Sequence, residues 1–128
     1  MALSLEQMKA NRKLWVEALR SGKYKQTKEV MKTSDGGMCC LGVLADIAGC
    51  GWSQVAKKED GTVIFTADEN DDYDAPPSAM GFVGLRTSEG RFGRATLAGK
   101  NDAGHSFNEI ADIIESEPEG LFIESAQP

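Results

Sequence analysis

The segment Cys39 to Gly49, Cys-Cys-Leu-Gly-Val-Leu-Ala-Asp-Ile-Ala-Gly, constrains this chain more than any other. Leu41, Leu44 and Ala48, with Val43 and Ile47, make a helix that is apolar on most sides, and Gly49 ends it. A helix of that kind needs cover, so other elements must pack closely against it. Gly42 sharpens the constraint. A glycine inside a helix costs about 1 kcal/mol relative to alanine, so its presence points to another backbone, or a ligand, in close approach.

Two amphipathic helices can supply cover. Ser4-Leu5-Glu6-Gln7 reads as a capping box, with Leu5, Met8, Trp15 and Leu19 following at helical spacing. Gly22 stops the run, which predicts a helix over 5–21. Ser106-Phe107-Asn108-Glu109 is a second capping box. Phe107, Ile110, Ala111 and Ile114 share its apolar face, Asn108, Glu109, Asp112 and Glu115 face water, and Pro118 ends it. Pro76-Pro77 opens a shorter helical segment with Met80, Phe82, Val83 and Leu85, and 96–100 predicts one more helical turn.

Strand signals fill the gaps. Residues 28–33 read as a short extended piece followed by a turn at Ser34-Asp35-Gly36-Gly37. Residues 52–58 and 62–66 flank Asp60-Gly61, a pair suited to a type I′ hairpin turn. Residues 87–94 read as a loop. The expected architecture is α+β: three or four helices packed with a small antiparallel sheet, one compact domain over 1–128. A flexible acidic loop is expected over 68–75, and a C-terminal tail over 119–128, pinned by Leu121, Phe122 and Ile123.

The chain has 128 residues and a net charge of −6, with the charges segregated. Lysine and arginine dominate 9–32, and carboxylates dominate 59–74 and the stretch after Glu109. Overall acidity disfavours direct DNA binding. The lack of an 18-residue apolar run and of a signal-peptide pattern argues against a membrane and for a cytoplasmic setting with reduced thiols.

Four stretches carry a resemblance. "WVEALRSGKYKQ" (15–26), "CCLGVLADIAG" (39–49), "PPSAMGFVGL" (76–85) and "NDAGHSFNEIADIIE" (101–115) occur in this order. Together they resemble a family of small proteins encoded by bacteriophages and prophages, with the pattern Trp-Val-x-Ala-Leu-Arg-Ser-Gly-x-Tyr-x-Gln, Cys-Cys-Leu-Gly-Val-Leu and Asn-Asp-x-Gly-x-Ser-Phe-x-x-Ile-Ala-Asp. The chain departs from it at Ala45, where the family's helix often continues Val-Leu-Cys-Asp, and the His105 position varies. The resemblance implies a phage origin and a host bacterial cytoplasm; it implies no activity.

Several chemistries can be weighed residue by residue. A cysteine at a helix N-terminus has a lowered pKa, so Cys39 or Cys40 with His105, the one histidine, is a candidate thiol hydrolase. A buried, inert cysteine pair explains the same residues with fewer demands. Adjacent cysteines chelate zinc poorly. The carboxylates at 68–74 lack the glycine and glutamate of an EF-hand. No metal and no cofactor is expected. Gly36-Gly37 leading into a helix offers a generic anion seat, with Arg20, Lys23 and Gln26 close in sequence. Tyr24 offers a flat face for stacking.

No coherent catalytic set emerges, so the sequence favours a binding protein. The expected role is host takeover or counter-defence, by sequestering a phosphate-bearing small molecule or covering a host protein. Arg20 and Lys23 would hold anionic groups, with Gln26 joining the same anion seat, Tyr24 would stack, and Asn101 and Asp102 would hydrogen-bond a polar edge. Asn101-Asp102 serves equally well as a turn locked by its own side chains. An acidic nucleic-acid mimic, built on 68–74 and 109–124, is the other alternative.

Overall fold

In the computed structural model, which describes residues 3–68, 70 and 73–123, the Cys-Cys helix is indeed enclosed. In chain order the elements are α1 (Leu5–Arg20), β1 (Lys25–Gln26), β2 (Lys32–Thr33), β3 (Gly37–Met38), α2 (Cys40–Ile47), β4 (Trp52–Lys57), β5 (Val63–Ala67), α3 (Pro77–Val83), β6 (Arg91–Phe92), β7 (Ala95–Thr96), α4 (Leu97–Asp102) and α5 (Phe107–Ser116). One sheet runs β1-β3-β2-β5-β4, and β6-β7 form a second, two-stranded one. The protein is α+β, as its sequence pattern indicates.

Helix α2 is buried from Cys40 through Ala45. Gly42 is there because its missing side chain leaves room for the backbone of Met31: a Cβ at residue 42 would collide with the Met31 carbonyl. Met31 also accepts a hydrogen bond from the Cys39 N–H at 3.2 Å. On the opposite side Trp15, fully buried, donates its indole N–H to the Cys40 carbonyl at 3.0 Å. The first helix therefore locks onto α2 through a polar handle as well as through area.

Both expected capping boxes are formed, at Ser4/Gln7 and at Ser106/Glu109. α1 and α5 pack antiparallel. Arg12 of α1 pairs with Glu117 just past α5, and Arg20 pairs with Asp112 inside it. Phe107, Ile110, Ala111 and Ile114 are buried on α5. The described end of the C-terminal tail is pinned: Leu121 and Phe122 are buried, and Ile123 donates to the Gly84 carbonyl. Residues 124–128 of that tail, and Glu69, Asp71 and Asp72 of the acidic loop, lie outside the described residues.

Four local expectations need correction. The extended piece predicted over 28–33 is a strand only at Lys32–Thr33; residues 28–31 bend, with Glu29 at φ 69°. The missed strand Lys25–Gln26 pairs parallel with β3, so the main sheet is mixed rather than wholly antiparallel. The Asp60-Gly61 hairpin forms, but not through a type I′ turn. Gly61 donates to Lys58, Lys58 to Thr62, and of the two residues only Gly61 has positive φ, which is the longer glycine-bulge connection. The loop predicted over 87–94 contains β6, paired with β7.

Two expected outcomes follow. Gly42→Ala improves helix propensity yet should destabilise the protein by about 2 kcal/mol or more, because the added methyl meets backbone that cannot swing aside. Chemical denaturation measures this, and a stabilised variant would refute the close approach. Ser106→Ala should cost about 1 kcal/mol by the same measurement.

Candidate functional site

The loop between β1 and β2 is shaped by side chains from α4. Asn101 is fully buried and uses all of its amide. Its Oδ1 accepts from Gln26 Nε2 at 2.8 Å and from the Cys40 N–H at 3.2 Å. Its Nδ2 donates to the Thr27 carbonyl at 2.8 Å and to Asp102 Oδ1 at 3.4 Å. Asp102 Oδ1 also accepts from the Glu29 N–H at 2.7 Å, which holds Glu29 in its left-handed conformation. Gln26 donates a second bond, at 2.8 Å, to the His105 carbonyl.

This network fixes one wall of a cleft of about 450 Å³, lined by Gln26, Thr27, Lys28, Glu29, Val30 and Lys58. Lys28, Glu29 and Lys58 are exposed at its edge. The amide nitrogen of Gln26 is committed, leaving its oxygen, held in a set orientation, as an acceptor. The N–H groups of Lys28 and Val30 meet no acceptor among the described residues. The cleft thus offers two ammonium groups, with one carboxylate beside them.

The six residues singled out from sequence fall in different places. Gln26, Asn101 and Asp102 converge on this loop, Asn101 and Asp102 as its supports and Gln26 as a liner. Arg20 turns to α5, bonding Asp112 at 2.6 Å and Glu115 at 3.3 Å. Lys23 is exposed, with no ion pair among the described residues. Tyr24 is half-buried and donates its hydroxyl to Asp46 at 2.8 Å. Burial, then the bond and charge of Asp46, push its pKa up to about 12. Lys28, Glu29 and Lys58 were missed. Nothing in the sequence marks them, because their relation is created by the fold.

The anion seat expected over Gly36-Gly37 is absent. Gly37 belongs to β3 and donates to Asp35, and the buried start of α2 is already occupied. Cys39 is its cap, its sulfur accepting from the Gly42 N–H, and Asn101 takes the Cys40 N–H. The thiols move opposite to the lowered pKa expected at a helix N-terminus. Burial raises Cys39 to about 11 and Cys40 well above its ordinary value, outweighing the backbone hydrogen bonds that act the other way. His105 turns its ring toward Glu109, 3.9 Å away.

In the acidic loop, Asp68 accepts from Ser78 at 2.6 Å and from the Gly51 N–H at 2.8 Å, and Asp74 accepts from Ser88 at 2.9 Å. These carboxylates are held by the protein itself.

A family model described as a domain of unknown function, DUF8296, matches residues 8–118. The chain belongs to that family. The match runs from within α1 to just past α5 and so includes the whole network around Asn101. No curated protein and no solved structure matches the chain.

Asn101→Ala should destabilise this DUF8296 protein by about 2–4 kcal/mol, since it strands the buried Cys40 N–H and leaves the part-buried Thr27 carbonyl without its partner. A denaturation curve displaced by less than a tenth of that would remove Asn101 from its central place. Tyr24 should ionise with a midpoint near 12, read from tyrosinate absorbance. Since the folded pKa lies above the unfolded one, the stabilisation is complete below about pH 10 and is lost as pH rises through 12. Tyr24→Phe should flatten that part of the stability profile. Cys40 should resist alkylation in the native protein; rapid labelling near neutral pH would contradict its burial.

Proposed function

We propose that this protein works by binding rather than by catalysis, holding a small phosphate-bearing molecule at the Lys28–Lys58 cleft. The observation that carries the reading is the pre-set wall. Gln26, Thr27 and Glu29 are held from behind by a buried amide and a carboxylate, so little ordering remains to be done when a ligand arrives. Lysine ammonium groups suit phosphate as mobile point charges. Arg20 is left out of this reading, because its guanidinium is already engaged by two carboxylates.

The resemblance to phage-encoded proteins supplies the biological setting of the proposal: sequestration of a phosphate-bearing signal in host takeover or counter-defence. A thiol hydrolase draws less support, since both thiols of the pair are buried with raised pKa and His105 faces Glu109.

Calorimetry with pyrophosphate tests the cleft. Wild type should bind saturably, and Lys28→Gln/Lys58→Gln should weaken binding by about tenfold or more with melting unchanged, as expected when charge-assisted contacts are lost. Glu29→Gln should tighten it, because a like charge leaves the edge of the cleft. Arg20→Ala should lower stability slightly, by about 1 kcal/mol or less, and leave binding as it was. Absence of saturable binding, or binding indifferent to both lysines, would reject the site.

A further inference from the structure

The Lys28–Lys58 cleft carries hydrogen-bond acceptors that a bare phosphate has no use for. The first is Gln26. Both protons of its amide nitrogen are spent, one on Asn101 Oδ1 and one on the His105 carbonyl, each at 2.8 Å. Those partners fix the orientation of the amide, because both of them accept. A backbone carbonyl can do nothing else, and Asn101 Oδ1 also takes the Cys40 N–H while Asn101 Nδ2 gives to Thr27. Gln26 Oε1 is therefore the free end. It meets no donor among the described residues, and it is not one of the polar atoms sealed from solvent. An open acceptor in a set orientation thus belongs to the cleft wall.

The second acceptor is Glu29. Asp102 holds its backbone N–H, and its φ of 69° sets where the side chain leaves the chain. The carboxylate is exposed and makes no ion pair among the described residues. To pyrophosphate it offers only repulsion. To a hydroxyl group it is a strong acceptor, since a hydrogen bond to an ionised partner is about twice as strong as a neutral one. Cations and acceptors meet around one turn. A Cβ at Gly104 would lie 3.9 Å from Lys28 Nζ. This ammonium therefore rests beside the residue before His105, whose carbonyl holds Gln26. None of the lining residues is aromatic, so no ring is offered to a nucleobase.

We infer that the ligand of this cleft is a polyol phosphate, the class that includes sugar phosphates, with its phosphate on Lys28 and Lys58 and its hydroxyls donating to Gln26 Oε1 and the Glu29 carboxylate. The inference rests on the phosphate reading of the cleft and adds what selects among phosphates. The two lysines hold the anion whatever it is attached to. Gln26 and Glu29 read what it is attached to. A site set up to bond a hydroxyl discriminates against the analogue lacking it, because its acceptors are then left without donors. Glu29 adds a repulsive element against phosphates that bring no hydroxyl in return.

The experiment is calorimetry with glycerol phosphate and propyl phosphate, monoesters of equal carbon count of which only the first carries hydroxyls. Glycerol phosphate should bind about tenfold more tightly, the difference expected of one or two net hydrogen bonds. Glu29→Gln keeps the shape of the side chain and the backbone bond to Asp102 while removing the charge. It should tighten propyl phosphate and cut the advantage of glycerol phosphate by about threefold or more. In isotope-labelled protein the side-chain amide signals of Gln26 should shift with glycerol phosphate and stay in place with propyl phosphate. Equal affinity for the two esters, an advantage that Glu29→Gln leaves intact, or Gln26 signals unmoved by either ester would overturn the inference, while saturable pyrophosphate binding would keep the phosphate reading standing. Glycerol bound as tightly as its phosphate, or no saturable binding of any of these anions, would overturn both.

Discussion

The peptide groups of Cys40 have no route to water, and the fold is arranged around satisfying them. The N–H goes to Asn101 and the C=O receives Trp15. An unsatisfied buried peptide group costs about as much as a good core contact contributes. The partners must therefore arrive together, one from the first helix and one from the fourth. Asn101 is itself buried, so its other valences need partners as well, and Gln26, Thr27 and Asp102 meet them. A chain of obligations runs from the middle of the core to a surface loop.

That chain links stability to the candidate site. The β1–β2 loop has little regular structure, and Glu29 takes a conformation that disfavours side chains. It is held because Asp102 takes the Glu29 N–H and Asn101 the Thr27 carbonyl. The cleft is thus shaped by a buried network rather than by its own lining. The cysteine pair belongs to the same structural logic. Cys39 caps α2 with its sulfur, and Cys40 fills space where any charge would be expelled.

Arginine plays two parts on α1. Arg12 is buried and gathers the ends of α3, α5 and the C-terminal segment, through Val83, Glu117 and Phe122. Arg20 is partly exposed and ties α1 to the face of α5. Sequence reasoning picked out Arg20 as an anion holder because it lies in a basic stretch near a glycine turn. Arg12, by contrast, looks like any surface charge until its distant partners Val83, Glu117 and Phe122 are seen.

The sequence by itself determined whatever depends on neighbours a few residues apart. Capping boxes, apolar helix faces, the Asp60-Gly61 hairpin and the need for close approach at Gly42 are all local signals, because helix and turn geometry bring i+3 and i+4 partners together whatever the rest of the chain does. It also picked out Gln26, Asn101 and Asp102, though not the reason they matter. Only the tertiary structure decided the rest. The parallel pairing of β1 with β3, the left-handed Glu29, the meeting of Lys28 with Lys58 and the raised pKa of the Cys39 and Cys40 thiols each arise from groups distant in sequence or from exclusion of water. Burial is a property of the whole packed chain. It reversed the expectation for a cysteine at a helix N-terminus, because desolvation outweighs a few backbone hydrogen bonds once no water can reach the sulfur.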